Sequence, residues 1–311
     1  MKQKAQQGVG VYLLCDYIGS FSIKQSFINE LRQSGVKAYF FRTTKFGRKG
    51  QINFRNHRKL VIIDDEVAYT GGMNIAEEYI KDSWNDMHLR IQGPIVSSLQ
   101  YTFLMDFNWA KREKDILPTI AMDKHKNHPQ GYKALAVASG PADDMDTCQL
   151  YYLNLISNAK ISVDIVSPFF APDSAILAAI HSALLRGVKV RLIVPKRSDN
   201  NYFVDLSTQE YARSLGRRGV DVYFYEKGMI HKKLLVADNN LTSVGTANFD
   251  NRSFRINFEI SILVDSYDFA KSCTQLFEND LNDCEKITGY ENRTKLTVFL
   301  AKLSQLFGPL Q

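Results

Sequence analysis

From Lys133 onward, short apolar runs alternate with longer amphipathic stretches. Lys133–Ser139 has strand character, and residues 146–159 carry apolar positions at helical spacing. Residues 161–167 form a second apolar strand, closed by Pro168. Residues 174–186 read as a helix ended by Gly187, and residues 189–194 as a further strand. Strands alternating with helices predict an α/β layer architecture. Upstream, a helix is expected to end at Gly8, followed by a strand over residues 9–14. A second helix is expected to end at Gly35, with a strand after it. The polar segment 122–131, containing Pro129 and Gly131, reads as a linker between lobes 1–121 and 132–311. The second lobe places a strand and helix, then another strand and helix, before Gly187. The first lobe places far less before Gly8, so its sheet is expected to be incomplete.

The chain also repeats itself. His57, Lys59, Asp64 and Asn74 recur as His231, Lys233, Asp238 and Asn248 at the same relative positions, an offset of 231 − 57 = 174. The lead-in repeats as well, Ser34-Gly35-Val36-Lys37-Ala38-Tyr39-Phe40 against Arg218-Gly219-Val220-Asp221-Val222-Tyr223-Phe224. Duplication of one lobe is the economical explanation.

At 311 residues the chain is long enough for two domains. With 45% hydrophobic and 23% charged residues it has a globular composition, which excludes disorder as its main state. No run approaches the roughly 18 apolar residues of a membrane-spanning helix, and the first residues lack the apolar core of a signal peptide. Lys and Arg total 39 against 33 acidic residues, a net charge of +6 that favours anionic partners, lipid surface or nucleic acid, without choosing between them. Four widely spaced cysteines form no CxxC pair and read as reduced thiols.

Residues two apart on an extended segment share a face, so each His presents with its Lys, while Arg58 or Lys232 points the other way. An imidazole beside an ammonium suits phosphoryl chemistry: histidine attacks phosphorus or moves a proton, and lysine neutralises phosphate oxygens. A metal site is not expected, since no HExxH or CxxC spacing accompanies the histidines. Gly71, Gly72 and Gly245 serve either a turn or close approach to phosphate. Asn74 and Asn248 either donate amides to phosphate oxygens or cap their own turns.

The pair HxKxxxxD…GGxN and HxKxxxxD…GTxN resembles the phospholipase D superfamily. Finer matches resemble the bacterial cardiolipin synthase family. They are Asn53-Phe54-Arg55-Asn56-His57-Arg58-Lys59, Trp84-Asn85-Asp86-Met87-His88, Ser167-Pro168-Phe169-Phe170, Asn248-Phe249-Asp250-Asn251-Arg252-Ser253-Phe254 and Asn257-Phe258-Glu259. The resemblance covers nearly the whole chain. It implies two similar α/β/α sandwich lobes about a pseudo-twofold axis, with the two motifs forming one site. Family members usually carry an N-terminal membrane region and a first strand and helix of lobe one, so the resemblance implies a shortened form.

The implied activity is phosphatidyl transfer between two phosphatidylglycerol molecules, giving cardiolipin and glycerol through a phosphohistidine, with no cofactor. By similarity His57 is the nucleophile and His231 the general acid and base, with Lys59 and Lys233 on the phosphoryl oxygens. Asp86 and Glu259 are expected to orient the histidines. Asp64 and Asp238 complete the catalytic motifs and are expected to brace the lobe interface rather than touch phosphorus. The expected partners are anionic phospholipid and a membrane surface, with no nucleic acid. The expected location is the bacterial cell membrane, held peripherally or through a segment outside this chain. Leu296, Phe299, Leu300, Leu303, Leu306 and Phe307 share one helical face, which is expected to pack on the core; insertion into a bilayer interface is the alternative. Two other function classes remain open: a hydrolase of the same superfamily, acting on lipid or nucleic acid, and an inactive binding remnant.

Overall fold

The alternating segments fold largely as their patterns dictate. The computed structural model describes residues 1–42, 54–81, 84–111, 131–198 and 202–306. Its first lobe runs α1 (Lys2–Gln6), β1 (Tyr12–Asp16), α2 (Gln25–Gln33), β2 (Lys37–Phe41), β3 (Arg55–Asn56), β4 (Leu60–Ile63), β5 (Val67–Gly71), α3 (Glu78–Lys81), β6 (His88–Gln92) and α4 (Ile95–Lys111). The second begins with β7 (Lys133–Ser139), α5 (Thr147–Asn158), β8 (Ser162–Val166), β9 (Phe170–Ala171), α6 (Ser174–Leu185), β10 (Lys189–Pro195), α7 (Tyr202–Gly216) and β11 (Asp221–Tyr225). It continues with β12 (Leu234–Ala237), β13 (Leu241–Gly245), β14 (Phe249–Asp250), α8 (Asn251–Arg255), β15 (Asn257–Asp265), α9 (Tyr267–Leu281), β16 (Cys284–Ile287) and α10 (Lys295–Gln305). The expected linker, apart from Gly131, lies outside the described residues.

Local chemistry sets the boundaries. Asp173 caps α6 by accepting from the Ile176 amide at 3.0 Å, and Gly187, at φ +83°, ends it, as the sequence predicted. The first strand begins at Tyr12 rather than residue 9.

The second lobe is one sheet in the order β16-β11-β10-β8-β12-β13-β15, with β7 on the far edge of β15. Alternate residues divide its two faces. Val163, Ile165, Val190, Leu192, Val222 and Phe224 meet α5, α6 and α7. Val166, Ile193, Leu234, Val236 and Val244 meet Ala270, Cys273 and Phe277 of α9. This is the expected α/β/α sandwich.

In the first lobe the counterparts of these strands form two separate sheets, β1-β2 and β4-β5-β6. By order and motif, β1 and β2 correspond to β10 and β11, and β4, β5 and β6 to β12, β13 and β15. In the second lobe β8 bridges β10 and β12. Among the described residues no strand stands between β1 and β4, so among them the first lobe has no counterpart of β8. The β1-β2 unit keeps a small core of its own, Ile28, Leu31, Val36 and Ala38. The β4-β5-β6 unit instead shares its core with the second lobe: Ala68, Val96 and Leu99 pack with Ile260, Ile262 and Val264 of β15.

The C-terminal helix departs from expectation. α10 packs against α7 and buries Ala301 and Ser304, whereas Leu296, Phe299 and Leu306 are 66%, 62% and 74% exposed. Leu300 and Leu303 are half-buried, so only part of the expected apolar face packs inward and Leu296, Phe299 and Leu306 turn outward. Phe307 lies outside the described residues.

Candidate active site

Each histidine sits on an extended segment just before a strand, β12 buried as expected but β4 half-exposed, with Val61 and Ile63 facing out, and each segment is pinned to the opposite lobe. β3 pairs with the start of β15, and the His57 amide donates to the Phe258 carbonyl at 2.9 Å. In the mirrored contact Asn85 bridges Ile230, and the His231 amide donates to the Asn85 carbonyl at 2.7 Å. The residues between His and Lys do face away and anchor the segments. Arg58 donates twice to Asp106 of α4 at 2.7 Å, and Lys232 to Asp280 of α9 at 2.7 and 2.8 Å. These two aspartates keep the repeat offset, 280 − 106 = 174, a signal in the sequence that motif reading passes over.

The orienting carboxylates are crossed between lobes. Glu259, fully buried, lies 2.9 Å from Nδ1 of His57; Asp86 lies 2.8 Å from Nδ1 of His231. Glu259 also accepts from Thr246 Oγ1 and from Asn257 Nδ2 at 3.0 Å. Asp86 accepts from the Tyr79 hydroxyl at 2.8 Å and from the Met87 amide at 2.7 Å. Neither Tyr79 nor Thr246 stood out in the sequence. Thr246 occupies the position of Gly72 in the repeat, 246 − 72 = 174. A Cβ at Gly72 would overlap the Asp86 carboxylate, so glycine makes room there and Tyr79 supplies the hydroxyl from α3. Gly71 and Gly245 are explained by a strand, not by phosphate. A Cβ on either would come within 2.4 or 2.5 Å of the Met87 or Ile260 carbonyl oxygen.

Both Lys side chains fold back, Lys59 onto the His57 carbonyl at 2.8 Å and Lys233 onto the His231 carbonyl at 2.7 Å. Lys233 Nζ also stands 2.9 Å from Nε2 of His231. Burial lowers Lys59 to about 8 and Lys233 to about 7, against the pull of Glu259 and Asp86. Burial likewise holds both imidazoles below their usual range, with the lysine charges adding to it and the carboxylates opposing it. Hydrogen bonds and the cationic neighbours keep Asp86 and Glu259 ionised against burial, Glu259 at about 2. The site thus holds two neutral imidazoles, each fixed through Nδ1 by a carboxylate, with Nε2 left for chemistry. Their surroundings differ: the His57 side chain is 28% exposed and that of His231 is 6% exposed, next to Trp84 at 5.4 Å between ring centres.

The remaining expected residues divide. Asn248 is buried, its Oδ1 unpartnered, while Asn74 is exposed. Asp64 and Asp238 do not join the site, a correction to the catalytic set. Each opens a two-residue turn at the far end of its strand, at φ +56° and +55°. Asp65 and Asn239 follow at +58° and +54°, and Glu66 and Asn240 close the turns on Ile63 and Ala237. These are type I′ hairpins, in which aspartate tolerates the left-handed backbone. Nor does Asp238 brace the lobe interface. Its carboxylate accepts from the amides of Lys160, Ile161 and Ser162 within its own lobe at 2.7–3.1 Å. Among the described residues no group of three or more His, Cys, Asp or Glu side chains is arranged to hold a metal ion.

The family model described as "Cardiolipin synthase, PLD-like domain" matches residues 1–107 and 152–281. The chain belongs to this family. Cardiolipin synthase A of Pseudomonas putida and that of Pseudomonas fluorescens are each 37% identical to it over 99% of its length. The chain spans 65% of the length of these relatives. Among solved structures, phosphatidylserine synthase of Haemophilus influenzae superposes with a TM-score of 0.71 at 14% identity, covering 99% of this chain and 83% of that one. This likeness shows the shared two-lobed fold.

Proposed function

We propose that the chain catalyses phosphatidyl transfer between two phosphatidylglycerol molecules, giving cardiolipin and glycerol. The observation that carries this reading is the pair of neutral imidazoles, each held at Nδ1 by a buried carboxylate of the other lobe. Nε2 of His57 attacks phosphorus, forming the P–N bond of a phosphohistidine as the P–O bond to glycerol breaks. His231 takes up a proton at Nε2 when the anionic phosphodiester binds, passes it to the departing glycerol oxygen, then takes one from the hydroxyl of the incoming lipid, which displaces His57. Lys59 and Lys233 hold the non-bridging oxygens as charge builds on them. A diester is exchanged for a diester, so the chemistry is balanced without a cofactor. The greater exposure of His57 favours it as the nucleophile, and the deeper His231 suits proton transfer. The relatives' printed name supports the same reading.

The substrate lies in a bilayer, and no helix among the described residues is long and apolar enough to cross one. The exposed Leu296, Phe299 and Leu306, with exposed Lys295 and Lys302 on the same helix, support contact of α10 with an anionic lipid surface. The test is product analysis by mass spectrometry on phosphatidylglycerol vesicles, with a His57→Ala, His231→Ala double variant as blank. Cardiolipin with released glycerol is the expected result. Phosphatidic acid alone would mean a hydrolase. Acid-quenched intermediate carrying its phosphate on His231 would reverse the two histidine roles.

A further inference from the structure

We infer that Arg55 binds the phosphate of the acceptor lipid, at a second anion subsite beside His57. The inference rests on the proposed phosphatidyl transfer and adds to it a place for the second substrate. Arg55 lies two residues before His57 on the segment pinned to β15, so the two share a face. Its Nε is buried without a hydrogen-bond partner, and its ion pair to Asp16 is loose at 3.7 Å. The neighbouring cation of this segment, Arg58, by contrast holds Asp106 at 2.7 Å. Directly across the ladder stands Asn257. Its Nδ2 is committed to Glu259, which fixes the amide's orientation and leaves Oδ1 buried and unpartnered. Arg55 thus carries a buried donor without a partner two residues from a catalytic imidazole, a costly arrangement unless an acceptor completes it.

A second guanidinium stands close by. Arg252 of α8 is held below its usual value by burial first and by the charge of Arg55 next. The lysines do not serve this subsite, since both fold back onto the histidine carbonyls at the reacting centre.

The reaction supplies one further anion. The donor lipid loses neutral glycerol, whereas the acceptor arrives carrying its own phosphodiester next to the attacking hydroxyl. A two-residue step of strand, about 6.6 Å, is comparable to the reach of the three-carbon bridge that separates the two phosphates of the product. With the phosphatidyl group on His57, an acceptor phosphate on Arg55 brings its terminal hydroxyl to the phosphorus. That oxygen forms the new P–O bond, the P–N bond breaks, and the hydroxyl proton passes to His231.

A competition between acceptors tests this. Phosphatidylglycerol vesicles are incubated with the full chain and ethanol, and cardiolipin and phosphatidylethanol are quantified from the same reaction. Ethanol has no phosphate, so Arg55→Ala is expected to lower the ratio of cardiolipin to phosphatidylethanol at least tenfold, and Arg55→Lys to lower it less. The ratio is internal to each reaction, so loss of folded protein alone lowers both products and leaves it unchanged. An unchanged ratio in both variants would overturn the subsite while leaving the transfer reading intact. Wild-type chain that makes phosphatidylethanol but no cardiolipin would overturn both.

Discussion

Oε1 of Glu259 stands 2.9 Å from Nδ1 of His57, and the two residues belong to different lobes. Asp86 and His231 repeat the relationship in the opposite sense. A carboxylate in this position fixes the imidazole's tautomer and stabilises the imidazolium that forms in the reaction. Glu259→Gln and Asp86→Asn are each expected to lower kcat roughly 10²–10⁴-fold, with a smaller effect on KM. Tyr79→Phe removes one hydrogen bond to the Asp86 carboxylate and is expected to cost roughly tenfold in kcat. Steady-state kinetics on phosphatidylglycerol vesicles checks all three, and a normal kcat in Glu259→Gln would remove the orienting role.

The lowered lysines set the pH dependence. In the free chain Lys233 loses its proton near pH 7 and Lys59 near 8, so kcat/KM is expected to fall as pH rises through that window. A bound phosphodiester raises both values, so the alkaline limb of kcat is displaced upward. Lys233→Arg keeps its charge and is expected to push the kcat/KM limb to higher pH. Because the unfolded lysines hold their protons to about 10.5, folding stability should rise with pH between about 7 and 10.5. A limb that stays put in Lys233→Arg would assign it to another group.

Asp238 is a stability residue. Asp238→Ala loses the hydrogen bonds to three backbone amides and places alanine at φ +55°. A loss of about 2–4 kcal/mol is expected in urea denaturation, with turnover per folded molecule retained. Asp64→Gly, at an exposed turn position that glycine also accepts, should be near neutral. Loss of turnover in well-folded Asp238→Ala would return this residue to the chemistry.

The outward face of α10 makes a prediction about lipid. Leu296→Ser, Phe299→Ser and Leu306→Ser together remove apolar surface that is exposed in the folded chain. Vesicle flotation should fall several-fold for vesicles containing phosphatidylglycerol, with thermal stability little changed. Unaltered flotation would shift lipid contact elsewhere.

Much of this was legible in the sequence because periodicity and repetition report directly on sheets and on duplicated sites. Strand Lys133–Ser139 and the helix ending at Gly187 were readable in that way, whereas the meeting of His57, Lys59, His231 and Lys233 followed only from the family resemblance. What was not legible depends on contacts between positions far apart. The crossing of Glu259 to His57 and of Asp86 to His231 has no local signature. The hairpin role of the two motif aspartates was hidden by their regular spacing from the histidines, which made a turn requirement look like a chemical one. The face of α10 was only partly read, since Ala301 and Ser304 are buried and Leu300 and Leu303 half-buried while Leu296, Phe299 and Leu306 stay exposed.

The crossed carboxylates also order events in the life of the chain. When the first lobe leaves the ribosome it carries His57 and Lys59, but the acid that orients His57 is still about 200 residues away in synthesis. Neither lobe alone holds a finished imidazole–carboxylate pair. The finished pairs therefore arrive last, only after both lobes have docked, and a half-made or misdocked chain holds neither of them.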